Sequence, residues 1–431
     1  MASEWHDARF AQLCEHSAFG PRFAGELYAP DGNVATLRTT DISADGRIEY
    51  ETMPLARLDL SRLQQHTLRP KDLVITRSGR IGTAALFNGF RLPVLPGAFL
   101  IRFRLKTDVA EPLFYRYFFN SRAGQELLTS VATGSVQQNL NITSVHGLEV
   151  PVPPLADQRA IAHILGTLDD KIELNRRMNE TLERQARALF KSWFVDFDPV
   201  RAKAEGRDPG LPQPLADLFP DSFEDSDLGE IPKGWELKPL DEIARFLNGL
   251  ALQKYPPTGE RSLPVIKIAQ LRAGTTDGAD RASADLEPAY IVQNGDILFS
   301  WSGSLECVLW AAGPGALNQH LFKVTSDKYP KWLCYLGVHH HLEDFRHIAA
   351  GKATTMGHIQ RHHLSDAKLA TPSQALLRAI DAVFAPIVES IWRRAVESRT
   401  LAALRDALLP KLISGELRVK DAKRFVAEAT A

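Results

Sequence analysis

Two stretches of this chain, 219 residues apart, set the limits on what it can fold into. In residues 153–198 (PPLADQRAIAHILGTLDDKIELNRRMNETLERQARALFKSWFVDFD) apolar and small side chains recur on a 4,3,4,3 spacing. They are Ile161, Leu165, Leu168 and Ile172, then Leu182, Ala186, Leu189 and Trp193. This is a heptad seam, the pattern a helix needs to pack along its length against another helix. The same register in the second stretch falls on Ile380, Phe384, Ile387, Ile391, Leu401, Arg405, Leu408 and Leu412. Each seam has a polar break at its centre, Asn175 and Asn179 in the first and Arg394 and Ser398 in the second. Each stretch follows a proline-bearing start, Pro151, Pro153 and Pro154 or Pro372, where a strand gives way to a helix. A helix of about 55 Å, at ~1.5 Å per residue, is too long for the core of one small domain. A shared register and a shared break point to internal duplication.

The rest of the chain repeats in the same way. EWHDARFAQL (4–13) has a counterpart in GWELKPLDEI (234–243), and ATLRTTDI (35–42) in VIKIAQL (265–271). KDLVITRSGRIG (71–82) matches GDILFSWSGSLE (295–306), and GSVQQNLN (134–141) matches GKATTMGHI (351–359). The helical, aromatic stretch 112–128 matches 330–345, and AFLIRFRL (98–105) alternates at period two as a strand does. The matched positions are those that build structure, while the loop chemistry differs. A duplicated scaffold with divergent loops does one job on two different targets.

A length of 431 residues implies two or more domains, and 44% apolar content supports buried cores. No run of about 18 apolar residues is present to span a membrane. The opening MASEWHDARF lacks a signal pattern. Three scattered cysteines (Cys14, Cys307, Cys334) indicate neither a disulfide framework nor a zinc knuckle, so a cytoplasmic protein is expected. Residues 196–230 hold ten acidic and three basic residues, a local −7 that leaves +6 for the rest of a chain of net charge −1. That is modest for a lone DNA binder, so a partner is expected to supply part of any phosphate contact.

Several catalytic readings fail on their motifs. YPPT (255–258) does not match the Asn/Asp-Pro-Pro-aromatic motif of an adenine methyltransferase, and GRIG (79–82) is too short a glycine signal for a nucleotide cradle. Eight of thirteen histidines lie between His320 and His363, yet no cysteine or acid completes a tetrahedral set and no HExxH is present. No metal site is expected.

At this point the residues carry a family resemblance. PPLADQRAIAHIL followed by LDDKIELNRRMNETLERQARALFKSWF resembles the central conserved region of the specificity subunit of type I restriction–modification enzymes. IPKGWELKPLDEIA resembles the start of that family's second target recognition domain, and LRDALLPKLISGEL its C-terminal conserved helix. The resemblance spans essentially the whole chain. It implies an α+β protein with two tandem mixed α/β target recognition domains and an internal pseudo-twofold duplication. Two long helices would join them as an antiparallel coiled coil. Each domain would read one half of a bipartite site on double-stranded DNA. The helices would set the unread spacer and dock two methyltransferase subunits, with motor-nuclease subunits joining the larger complex. S-adenosylmethionine would belong to the methyltransferase, and this chain would hold no catalytic site.

The expected division is a first recognition domain at 1–152, a central helix at 153–198 and an acidic Pro/Gly-rich linker at 199–232. A second recognition domain at 233–371, a C-terminal helix at 372–420 and a tail at 421–431 follow. The groups suited to DNA are Arg and Lys for phosphate and guanine, and Asn and Gln for adenine. In the first domain they fall on Arg77, Ser78 and Arg80 after a strand, and on Gln137, Gln138 and Asn139. The matching loops of the second hold Trp301, Ser302 and Ser304, and Lys352, Thr354, Thr355, His358 and Arg361. Phe114, Tyr115, Tyr117 and Phe118 have the helical spacing of a packed core rather than of a stacking platform for single strands.

Overall fold

A computed structural model describes residues 5–133, 139–227, 229–257, 261–351, 357–422 and 424. The chain forms two compact units, Met1–Asp170 with Leu401–Ala431, and Lys171–Thr400. Their division falls inside both long helices.

Along the first unit run β1 (His6–Arg9), α1 (Phe10–Leu13), β2 (Cys14–Phe19), β3 (Val34–Leu37), β4 (Leu55–Ala56), β5 (Leu73–Thr76) and β6 (Ala84–Leu86). Then come β7 (Val94–Pro96), β8 (Leu100–Leu105), α2 (Pro112–Asn120), α3 (Arg122–Ser130), α4 (Ile142–His146), β9 (Glu149–Val152) and the start of α5 (Leu155–Phe194). A four-stranded sheet has the order β2-β8-β5-β6, a second has β4-β3-β7 with β3 and β7 parallel, and β1 pairs antiparallel with β9.

The period-two pattern of β8 explains its place at the centre. Ile101, Phe103 and Leu105 face one side, Arg102 and Arg104 the other, and all but Arg104 are buried. The arginines are tolerated because the buried Asp72 carboxylate accepts from Arg104 Nε at 2.8 Å and Nη2 at 2.7 Å. Arg102 Nη1 donates to the Gln65 carbonyl at 2.7 Å. Phe114, Tyr115, Tyr117 and Phe118 lie in the core, and Phe10 packs edge-on against Phe103 and Phe119. The helix expected over 112–128 is broken at Ser121, whose hydroxyl donates to Phe118 O at 2.6 Å and caps α3. A Cβ on Gly124 would stand 2.1 Å from that same carbonyl, so the tight break admits only glycine.

The second unit begins within α5 and continues with α6 (Asp198–Ala204), α7 (Gln213–Ala216), β10 (Phe223–Ser226), β11 (Gly229–Pro232), β12 (Glu236–Pro239), α8 (Leu240–Ile243) and β13 (Arg245–Asn248). Next are β14 (Ser262–Ile266), α9 (Ile268–Ala273), β15 (Arg281–Ser283), β16 (Ile291–Val292), β17 (Ile297–Ser300), β18 (Cys307–Leu309), β19 (Gly315–Leu317) and β20 (Leu321–Thr325). Finally come α10 (Lys331–His340), α11 (Leu342–Gly351), α12 (Arg361–Asp366), β21 (Lys368–Thr371) and α13 (Gln374–Ile413). The plan of the first unit returns. The sheets are β13-β20-β17-β18 and β15-β14-β19-β16, with β14 and β19 parallel and β12 antiparallel to β21.

Residues 199–232, read above as a linker, are folded instead. Val200, Phe219 and Ile231 are buried with Trp193, Phe197 and Trp235 in the core of the second unit, and β10 and β11 form a hairpin. The acids that suggested a loose loop sit on the exposed side of these short elements, with Glu224, Asp225 and Glu230 in solvent.

Each long helix spans 40 residues, α5 from Leu155 and α13 from Gln374. The start of α5 is fixed by the fully buried Gln158, which donates to Pro153 O and Val109 O and accepts from Glu111 N. In the first unit Ile161, Leu165 and Leu168 of α5 and Leu401, Leu408 and Leu412 of α13 are buried. Asp169 there accepts from Arg405 Nη1 at 2.7 Å, Arg116 Nη1 at 3.1 Å and the Tyr117 hydroxyl at 2.6 Å.

In the second unit Asn175 Nδ2 donates to Glu397 Oε2 at 2.9 Å, and Asn179 Nδ2 donates to Ile391 O at 2.9 Å. Rising numbers on one helix meet falling numbers on the other, so the pairing is antiparallel. The polar break closes on Glu397 rather than on Arg394 or Ser398. Ile380, Phe384 and Ile391 are buried, whereas Ile172, Leu182, Leu189 and Ile387 are half-buried. Toward the end of α5 the seam residues Ala186 and Trp193 stay buried and are joined by Phe190 and Phe194. An α-helix drifts about 20° per heptad, so the buried face there extends beyond a strict 4,3 line.

Candidate nucleic-acid interface

The loop between β5 and β6 is built by one hydroxyl. Thr76 ends β5, donates from Oγ1 to the Arg80 carbonyl and accepts from Thr83 N at 3.0 Å. Gly79 at the tip has φ +77 with open space around it, a conformation that leaves the tip narrow and accessible. The second unit does the same between β17 and β18. Ser300 Oγ donates to Ser304 O at 2.7 Å and accepts from Glu306 N at 2.8 Å, and Gly303 has φ +65.

A second loop joins each tip. In the first unit Thr133 and Asn139 pair across residues 134–138, and Leu140 N donates to Arg77 O at 3.0 Å. In the second, Ile359 N donates to Trp301 O at 3.0 Å, Gly303 N donates to Gly357 O at 2.8 Å, and Ser302 bridges His358. A third strand closes the frame. Arg77 N donates to Phe99 O at 2.9 Å, and Trp301 N to His320 O at 3.4 Å.

On this shared backbone the side chains differ. The Arg77 guanidinium lies 4.5 Å from the centroid of the Phe19 ring. Trp301 Nε1 instead donates to Asn248 Oδ1 at 3.0 Å and Gln319 O at 3.2 Å. Arg80 and Ser304 are exposed, and so is Arg361, whose guanidinium stands 5.8 Å from the Phe322 ring centroid. Ser78 and Ser302, placed above among the DNA contacts, turn inward at 6% and 3% exposure; Ser302 Oγ hydrogen-bonds His320 Nδ1 at 3.1 Å. They support the loops rather than face a ligand. Asn139 stands at the base of its loop, and His358 is half-buried beside Trp301. Gln137, Gln138, Lys352, Thr354 and Thr355 lie outside the described residues.

Sequence reasoning missed Phe99, which is 56% exposed at this frame and whose counterpart is His320. It also missed Phe19 and Asn248, which seat Arg77 and Trp301. The signal for Phe99 was an aromatic standing just before the alternation of β8. Some of the cations near the frames are tied up internally. Arg102, Arg104 and Lys323 are held internally, Lys323 by Asp296 at 2.8 Å and Ile291 O at 3.0 Å. Among the described residues Arg77, Arg80 and Arg361 make no ion pair. No group of three His, Cys, Asp or Glu among the described residues is placed to hold a metal. No helix among them is long and apolar enough to cross a membrane.

The family model described as the type I restriction modification DNA specificity domain matches residues 2–184 and 232–376, one match over each set of strands. The chain belongs to this family. It is 27% identical over 355 residues to the type I restriction enzyme HindI specificity subunit of Haemophilus influenzae, covering 68% of this chain and 74% of that one. It is 28% identical over 324 residues to the MjaIX specificity subunit of Methanocaldococcus jannaschii, covering 73% and 70%. Among solved structures, the type I restriction-modification S subunit from M. genitalium has a TM-score of 0.58 at 16% identity. That likeness of fold covers 95% of this chain and 96% of that one. Family membership accounts for the doubled frame, two specificity domains in tandem on one chain.

Proposed function

We propose that this chain is the sequence-specific DNA-binding subunit of a type I restriction–modification complex, without catalysis of its own. Each frame reads one half of a bipartite, asymmetric site on double-stranded DNA. The observation that carries the reading is the pair Leu140–Arg77 and Ile359–Trp301, the same backbone closure with exchanged side chains. Phosphate contacts position such a protein and side chains at loop tips specify the bases, so a constant frame with variable tips suits two different half-sites. Two methyltransferase subunits dock on the long helices and bring S-adenosylmethionine with them. Motor-nuclease subunits complete the assembly, which works in the cytoplasm.

The test is duplex binding by the chain assembled with its methyltransferase partner, titrated against salt. Specific affinity that falls linearly on a log–log salt plot supports the reading. Absence of duplex binding, or methyl transfer by the isolated chain, contradicts it.

A further inference from the structure

The Arg77 side chain is held without being satisfied. Its backbone is fixed by Phe99 and Leu140, and its guanidinium lies over the Phe19 ring, 4.5 Å from the centroid. Its Nε is buried with no hydrogen-bond partner among the described residues. Neither Nη makes a hydrogen bond or ion pair among the described residues, and a guanidinium has donors but no acceptor, so these two nitrogens are left to meet acceptors from outside. At the equivalent place in the second unit, Trp301 has one N–H and spends it on Asn248 and Gln319. One frame presents an unfilled donor fork; the other presents none.

Two acceptors on DNA suit an arginine, a phosphate and the O6/N7 edge of guanine. Contact with the Phe19 ring restrains the Arg77 guanidinium, and a restrained fork suits the fixed acceptor pair of a base edge better than a mobile phosphate. Arg80, exposed on the same loop without a stacking partner, is the flexible cation that suits a phosphate. Resting on the DNA-reading function above, we infer that Arg77 reads one guanine, through the major groove, in the half-site of the first unit. The second unit reads no base through Trp301, so its half-site carries no counterpart of that contact.

The experiment selects from a randomised duplex library with the full chain assembled with its methyltransferase partner, as wild type, Arg77→Lys and Arg77→Ala. The wild type should select two blocks, one with an invariant G·C pair. Both variants should lose preference at that pair alone, by about 10- to 100-fold, while the other block stays unchanged. Lysine keeps the charge but not the fork, so its failure to preserve the preference separates base reading from charge, and it stands in should the alanine variant fold poorly. The inference is overturned if Arg77→Lys keeps the preference, or if Arg77→Ala weakens all sequences equally with the salt slope reduced by about one. It is also overturned if both blocks are lost together, the mark of a structural role. A wild-type complex that selects no sequence defeats the DNA-reading function itself, a failure visible before any variant is compared.

Discussion

The Leu140 amide donates to the Arg77 carbonyl at 3.0 Å, joining two loops that lie 63 positions apart into one surface. Ile359 and Trp301 repeat the bond at the same length. What is constant between the units is backbone, and what changes is the side chain displayed on it. A protein that reads two unlike half-sites needs that division between frame and reader.

The hydroxyls of Thr76 and Ser300 should be separable controls of the two frames. Thr76→Val leaves the Thr83 amide and the Arg80 carbonyl without their partner, at a cost of about 1–2 kcal/mol. The expected outcome is a small fall in thermal unfolding temperature with weakened selection of one half-site. Ser300→Ala should do the same to the other half-site, as a library selection would show.

Asp169 should matter for the stability of the first unit, with a defined pH dependence. Burial alone would raise its carboxyl, but Arg116, the Tyr117 hydroxyl and Arg405 hold it below the usual range. A lowered carboxyl contributes stability above its ordinary pKa of about 4, and that contribution is lost as pH falls through the lowered value. Asp169→Asn should therefore cost about 2–3 kcal/mol at neutral pH. Its deficit should shrink in denaturant titrations run below pH ~4.

The second unit should be sensitive to mild acid. Burial and the nearby Arg187 push His339 down to about 3, and burial with His340 pushes His341 down to about 4. The unfolded chain binds these protons near pH 6.5 while the folded unit does not. The stability they allow is full above pH ~6.5 and declines from there toward pH ~4 and ~3. His339→Gln should flatten that decline in equilibrium unfolding measured between pH 7 and 4.

Helix length should set the unread spacer. Inserting one turn, four residues or about 6 Å, into both α5 and α13 should lengthen the gap between half-sites by roughly two base pairs. Mapping of methylated bases reads this directly, and an unchanged site would contradict it.

The sequence made the long helices legible because forty residues of periodicity leave little ambiguity, and the repeat legible because Asp72 and Asp296 head matching strands. It misled at 199–232. There Val200, Phe219 and Ile231 are spaced too irregularly for any period, yet they find Trp193 and Trp235 in space. It also placed Ser78 and Ser302 among the readers, because a polar residue after a strand gives no sign of which way the turn points it. Phe19, Asn248 and His320 were out of reach for a different reason, and the aromatic Phe99 gave a sign of itself but not of its place. Each belongs to the frame only through pairings between strands apart in sequence, β8 with β2 and β5 in the first unit and β20 with β13 and β17 in the second.

The most direct measurement of the central claim is single-molecule sequencing of methylated bases in cells carrying the assembled complex. The account expects a bipartite motif of two unlike blocks with a gap of constant length, and a Thr76→Val chain that degrades one block only. A single contiguous motif, or a motif indifferent to changes in both frames, would contradict it.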